Sequence, residues 1–376
     1  MAGSNSQLLQ KQNDAAACVA AESGASVAKQ ETSAELLAQL RAKLERGAED
    51  PQIFLLRLQH SLGISSLSFG LGTAALITIF VGGSFLLADV QNANVLGELG
   101  SILFFATSLG MLTGFFRSLI YGAVEDLYSL KGVLPLSENE LEKLSRKIST
   151  TSQFRQLAQV AIALVAGLVH SYFLGNYNSP TPLAISTSVA TVLLWIGMLM
   201  ALPQLIENAR LFSKLGRIAN PDLLRPSRHA AFGSAALRPG LTVIGLISAY
   251  GLLFLGAVSR AFAPIGFAMG LSIFALVGLI ALPLRGIRLR IRETREGALQ
   301  DLDGRLARLP LDKVAAADAK ELQEIDLLLD MRERVAQAPG WPFDVNGVKR
   351  ILFYIVLPPL TWAAAALVEM MIESAL

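Results

Sequence analysis

LAQVAIALVAGLVHSYFLGNYNSPTPLAISTSVATVLLWIGMLMALPQ, residues 157–204, decides the fold. Its two apolar runs, 157–177 and 183–204, contain no Asp, Glu, Lys or Arg. Each is close to the roughly 20 residues that carry an α-helix across a hydrocarbon core of about 30 Å. Asn176 to Pro182 (Asn-Tyr-Asn-Ser-Pro-Thr-Pro) joins them. A turn of about seven residues, punctuated by Asn, Ser and Pro, predicts a tight helical hairpin.

The pattern repeats outward. Further apolar runs occupy 64–88, 97–119, 239–259, 262–284 and 351–372. Of the 32 Lys and Arg residues, 31 fall in 1–62, 117–155, 205–238 and 285–350, which hold 6, 6, 6 and 13 of them. The links 89–97, 176–182 and 259–261 hold only Arg260. That alternation is the positive-inside pattern. It predicts an all-α, polytopic membrane helix bundle with its N-terminus and basic stretches cytoplasmic. Six spans are expected, plus a kinked seventh. Pro358-Pro359 near the middle of 351–372 removes two backbone donors. A kinked span is one reading of that segment, and a re-entrant or surface-lying segment is the other.

Composition narrows the function. The chain is 53% hydrophobic and 16% charged, against about 25% charged in a typical soluble domain. A net charge of +2 gives no electrostatic footprint for nucleic acid. A single cysteine, Cys18, leaves no intramolecular disulfide and no thiolate zinc site. About 60 mostly polar residues precede the first apolar run, so no secretory signal is expected.

Residues 1–31 are poor in large apolar side chains and read as a disordered tail. In 32–62, Thr32 stands three residues before Glu35, the spacing of a capping box. Leu36, Leu40 and Leu44 share a face, so a helix is expected over 33–47, and a second one follows Pro51 to about His60. Residues 63–284 form the six-span bundle. Residues 285–338 read as a cytoplasmic helical hairpin divided at Pro310. Its second arm carries the stripe Val314, Leu322, Ile325, Leu329 and Val335. The 13 basic residues of 285–350 meet 12 acidic ones, a balanced solvated surface. Runs 183–204 and 262–284 both leave the membrane through Ala-Leu-Pro, at 201–203 and 281–283. This suggests a parallel repeat of a helix hairpin with an inward helical extension, a plan that 97–119 running into 117–130 fits without the proline, although three matched common residues also arise by chance.

Chemistry is sparse. No Gly-x-Ser-x-Gly, His-Glu-x-x-His or Gly-rich phosphate loop occurs. No catalytic, cofactor-binding or metal-ligating residue is assigned, and an enzyme is not expected. Of the three histidines, His170 lies within a span, where it either lines a polar pocket with Ser171 and Tyr172 or bonds a neighbouring helix. The middles of the first six runs carry no ionisable acid or base, which lowers the expectation of ion-coupled transport. Hydroxyls are frequent on 64–88 (Ser65, Ser66, Ser68, Thr73, Thr78) and on 183–204 (Ser186, Thr187, Ser188, Thr191). They could line a channel or serve helix packing. Gly110-x-x-x-Gly114 and Gly266-x-x-x-Gly270 are close-approach motifs, for packing within the chain or at a dimer face. Arg285, Arg288, Arg290, Arg292 and Arg295 crowd the inner end of 262–284. They suit anionic lipid, a cytoplasmic protein partner or a second copy.

The C-terminal part of 339–376 adds a resemblance. Gly340-Trp341-Pro342-Phe343-Asp344, then Lys349-Arg350, Leu357-Pro358, Trp362 and Ala366-Leu367-Val368-Glu369 resemble the ending of a family of uncharacterised bacterial multi-pass membrane proteins. Pro359 and Met370 depart from that pattern. The resemblance implies a bacterial inner-membrane location and no transferable activity. Trp341 and Phe343 suit the interfacial aromatic belt as anchors. The expected role is a non-catalytic scaffold or partner-recruiting protein acting through its cytoplasmic helices. A channel or uncoupled small-solute transporter is the alternative.

Overall fold

The computed structural model describes residues 53–87, 95–177, 181–254, 262–308 and 319–340, with six single positions between 353 and 371. The tail 1–31, the helix expected over 33–47, Pro310, Val314, Trp341, Phe343 and most of 351–372 lie outside the described residues.

The elements are α1 (Phe54–Leu62), α2 (Ser66–Leu87), α3 (Val95–Ser129), α4 (Glu138–Ser149), α5 (Gln153–Phe173), α6 (Pro182–Ile218), α7 (Ala230–Tyr250), α8 (Phe262–Leu306) and α9 (Ala319–Gln337). Short 3-10 turns precede and follow α7, at Pro226–His229 and Gly251–Phe254. Among the described residues there is no strand. Five helical stretches, one each around α2, α3, α5, α6 and α7, are long and apolar enough to cross a membrane. The sixth expected span falls in α8, whose side chains through residue 273 lie outside the described residues.

Local signals set several helix starts. Ser137 and Glu140 close a capping box on α4, with Ser137 N–H donating to Glu140 at 2.8 Å. Glu140 accepts from both the backbone N–H and the hydroxyl of Ser137, and these bonds hold its carboxyl below the usual range. Ser152 caps α5, and Thr181 caps α6 with Pro182 in its first turn.

Three helices run well beyond their apolar runs. α3 continues to Ser129, α6 to Ile218 and α8 to Leu306. Pro203 and Pro283 lie inside α6 and α8 without ending them. α7 starts at Ala230 rather than 239, with Pro239 inside it. A proline inside a helix lacks the N–H for one hydrogen bond of the ladder. Here packed neighbours sustain the helix through it.

α3 is the central helix. Phe104, Leu112, Phe116, Ile120, Val124 and Leu127 on it are all buried, and α2, α6 and α7 pack around it. Glycines set the closest crossings. A Cβ on Gly70 of α2 would lie 2.6 Å from the Gly110 carbonyl oxygen and 2.9 Å from Gly114 Cα. On Gly286 of α8 it would lie 1.8 Å from the Ser213 carbonyl oxygen of α6, and on Gly216 2.3 Å from Ile287 N. These contacts also fix register. With Gly216 beside Ile287, Pro203 is level with about residue 274, so Pro283 sits about nine residues, or ~13 Å, further along the axis. The two Ala-Leu-Pro triplets therefore do not lie side by side, as copies at equal depth would.

The outer faces of α2 and α5 carry large apolar side chains that are exposed. Leu67, Leu71 and Ile79 of α2 and Phe154, Leu157 and Val165 of α5 are exposed. Contiguous patches of this kind are rare on soluble monomers.

α9 folds back along α8. Arg332 bonds Asp303 at 2.6 Å, Arg295 bonds the Ala336 carbonyl, and Leu302, Leu306, Leu328 and Val335 form a shared cluster. The seam differs from the expected stripe. Val335 is buried as part of it, but Leu322 and Leu329 are exposed and Leu328 takes the inner place. Leu328 lies one heptad before Val335 and shares its face of α9, whereas Leu322 and Leu329 fall on another face.

Candidate functional site

The most unusual side-chain arrangement lies just beyond the apolar run 97–119. Asp126 is on α3, and Ser234 and Arg238 stand one turn apart on α7. Ser234 Oγ donates to Asp126 Oδ1 at 2.6 Å, and Arg238 Nη2 reaches the same oxygen at 3.4 Å. The guanidinium crosses over Gly122, where a Cβ would fall 1.3 Å from Arg238 Nη1. Glycine at 122 is thus what lets Arg238 reach Asp126. The carboxylate is 5% exposed, and its second oxygen, Oδ2, has no hydrogen-bond partner. A buried carboxylate is costly unless paired and hydrogen-bonded.

A cavity of about 10 Å³ adjoins the pair. Leu119, Ala123, Leu205, Asn208, Phe212 and Pro239 help to line it. That is room for roughly one water molecule.

A chain of buried amides continues from this cavity along the same end of the bundle. Gln204 Nε2 donates to the Ile148 carbonyl at 2.9 Å and approaches Asn208 Oδ1 at 3.4 Å. Gln156 Nε2 donates to the Thr151 carbonyl, and its Oε1 accepts the Phe54 N–H, both at 3.0 Å. Arg155 pairs with Glu207 at 2.7 Å. The chain links α1, the α4–α5 turn and α6, and it reaches the α3–α7 pair through the cavity wall. Its chemistry is positional, because every group in it holds a neighbour.

The link between α6 and α7 is also folded. Asp222 Oδ1 accepts from Leu224 and Arg225 N–H groups, and its other oxygen meets Arg228 at 3.3 Å. His229 is buried with Nε2 3.0 Å from Asp222 N. Asn220 N–H donates to the Val133 carbonyl after α3, at 2.9 Å.

The arginine cluster is divided. Arg290 donates to the Ala219 carbonyl at 3.2 Å and meets Glu293 at 3.4 Å. Arg292 bonds Glu296 at 2.7 Å, and Arg295 holds α9. Arg285 and Arg288 are exposed. Gly110 and Gly114 meet Gly70, Ala74 and Ser66 of α2 within the chain. Gly266 and Gly270 lie in the helical part of α8, and what they touch falls outside the described residues. His170 accepts from Trp195 Nε1 of α6 at 3.1 Å. Among the described residues no group of three or more His, Cys, Asp and Glu could hold a metal ion.

Sequence reading missed the Asp126–Arg238 pair. A signal was present, since each charge stands within a turn or two of an apolar run, where it needs a partner. Which charge meets which depends on helix neighbours, and spacing along the chain does not encode that.

Comparison with protein-family models, curated proteins and solved structures gives no match. The fold itself therefore defines the class: among the described residues, an all-α bundle with five helices that meet the length and apolarity needed to cross a membrane.

Proposed function

We propose that this chain is a multi-pass protein of the bacterial inner membrane that acts as a non-catalytic scaffold, recruiting a partner through its cytoplasmic helices. It has six spans plus a kinked seventh at 351–372, with the N-terminus and basic stretches in the cytoplasm.

One observation carries this reading. α6 and α8 continue unbroken from apolar into polar sequence, are clamped together at Gly216 and Gly286, and carry α9 folded back on α8. The result is a braced helical platform at the basic end. Leu322, Leu327, Leu329 and Met331 of α9 are exposed on it. A soluble protein partner or a second copy fits this surface. Exposed Arg285 suits anionic headgroups at its base.

The hydroxyl-rich faces favour scaffold over channel. Thr73, Thr78, Ser186, Thr187 and Thr191 each donate to a carbonyl of their own helix. Ser65, Ser68 and Thr78 stand on the outer surface of α2. Those groups serve packing and helix geometry.

The test is co-purification after cross-linking in the membrane, comparing the full chain with one lacking 296–338. The expected outcome is loss of a defined set of proteins with membrane insertion retained. An unchanged set overturns the proposal.

A further inference from the structure

We infer that α1 is a lipid-surface helix, lying in the headgroup plane at the basic end with Phe54, Leu58 and Leu62 among the acyl chains of that leaflet. The inference rests on reading the chain as a membrane protein.

At about 100° per residue, the nine residues of α1 sort into three arcs. Phe54, Leu55, Leu58 and Leu62 share one arc, and Phe54, Leu58 and Leu62 are 61%, 38% and 54% exposed. Leu56 and Gln59 fall in the next and are 4% and 2% exposed, held against the bundle. Arg57, His60 and Ser61 fill the third and are exposed. Protein covers one arc, and two exposed arcs of opposite polarity remain. A helix with this division belongs at the boundary between hydrocarbon and water.

Its position is fixed at both ends. The Phe54 N–H, which no residue within the helix can satisfy, donates to Gln156 Oε1 at the base of α5. Gln59 Nε2 donates to Ser66 Oγ in the first turn of α2. Between the helices stands Gly63, with φ +64° and its N–H on the His60 carbonyl. This left-handed cap turns the chain sharply from α1 into α2.

The occupant of the apolar arc follows from what adjoins it. Phe154 and Leu157 flank Gln156 and are 82% and 69% exposed, and Leu67 follows Ser66 and is 72% exposed. These side chains begin the uncovered faces of two helices apolar enough to cross a membrane. The α1 arc continues that surface, so the bilayer that covers α2 and α5 covers it too.

The experiment uses the full chain with Cys18→Ser, reconstituted in vesicles of phosphatidylcholine and phosphatidylglycerol. Nitroxide labels are placed singly by Leu58→Cys, Leu62→Cys, Arg57→Cys and, within α2, Leu71→Cys. Collision with oxygen, which concentrates in lipid, is compared with collision with a water-soluble nickel chelate. The expected oxygen-to-nickel ratio is several-fold higher at 58 and 62 than at 57, and at both it indicates a shallower depth than at 71. Labels at 58 and 62 that collide mainly with nickel, or with neither reagent, overturn the inference while position 71 in lipid upholds the membrane reading. A water-exposed label at 71 overturns both. Position 62 decides the matter where Leu58→Cys fails to fold.

Discussion

At the scale of single residues, the Asp126–Arg238 pair sets the sharpest expectation. Arg238→Ala leaves a carboxylate buried with only Ser234 and an unpartnered oxygen. Removing one partner of a buried ion pair costs roughly 3–5 kcal/mol, and the low end applies because the Arg238 side chain is 30% exposed. The thermal midpoint in detergent should fall, and Asp126→Asn in the same background should recover part of the loss by removing the charge. An equal loss in single and double variants would deny the pair its role. A second pair of substitutions reads the α2–α3 crossing. Gly70→Ala forces a methyl against the Gly110 carbonyl, whereas a methyl added at Gly72 would meet nothing within 4 Å. The first should destabilise by about 1–3 kcal/mol as overpacking. The second, Gly72→Ala, should be neutral or gain up to about 1 kcal/mol from helix propensity. Similar midpoints for the two would mean the crossing is looser than the glycine contacts imply.

At the scale of elements, α4 is stabilised by its own first turn. Ser137→Ala removes the cap and should cost about 1 kcal/mol, seen as faster hydrogen exchange at the amides of Glu138–Leu141. The effect has a definite pH direction. Glu140 has its pKa lowered by the Ser137 bonds, so the box contributes fully at neutral pH and is lost as pH falls through that lowered pKa. The protection of this turn, taken as exchange relative to the intrinsic rate at each pH, should therefore fall with acid in the native chain and change less in Ser137→Ala. The same scale shows what the sequence could and could not express. Apolar run length located α2, α5 and the first part of α6, because a lipid-crossing helix must be continuous and uncharged. Run length alone did not show that α3, α6 and α8 are each one unbroken helix across residues 119, 204 and 284, although helical extensions were expected beyond those runs. Polar residues permit helix and loop alike, and it is the neighbouring helices that decide between them. The apolar run 239–259 likewise marked only part of α7, which begins at Ala230 and holds Pro239 inside it.

At the scale of the whole molecule, the candidate site was less legible than the fold. Apolarity is encoded along the chain, while the partner of Asp126 is more than a hundred residues away on another helix. The arginine cluster shows the converse. Its density suggested a binding surface, and its spacing did not express the contacts that Arg290, Arg292 and Arg295 also make within the chain. The register of α6 and α8 has a mechanical consequence. Each proline deletes one rung of its helix's hydrogen-bond ladder and leaves a place that bends easily. Because the two gaps are offset by about 13 Å, an intact stretch of one rod lies beside the weak stretch of the other. The pair acts as its own splint, like boards laminated with staggered joints. A push at one end then tilts both helices as a single beam, and the compliance lies at the ends of that beam.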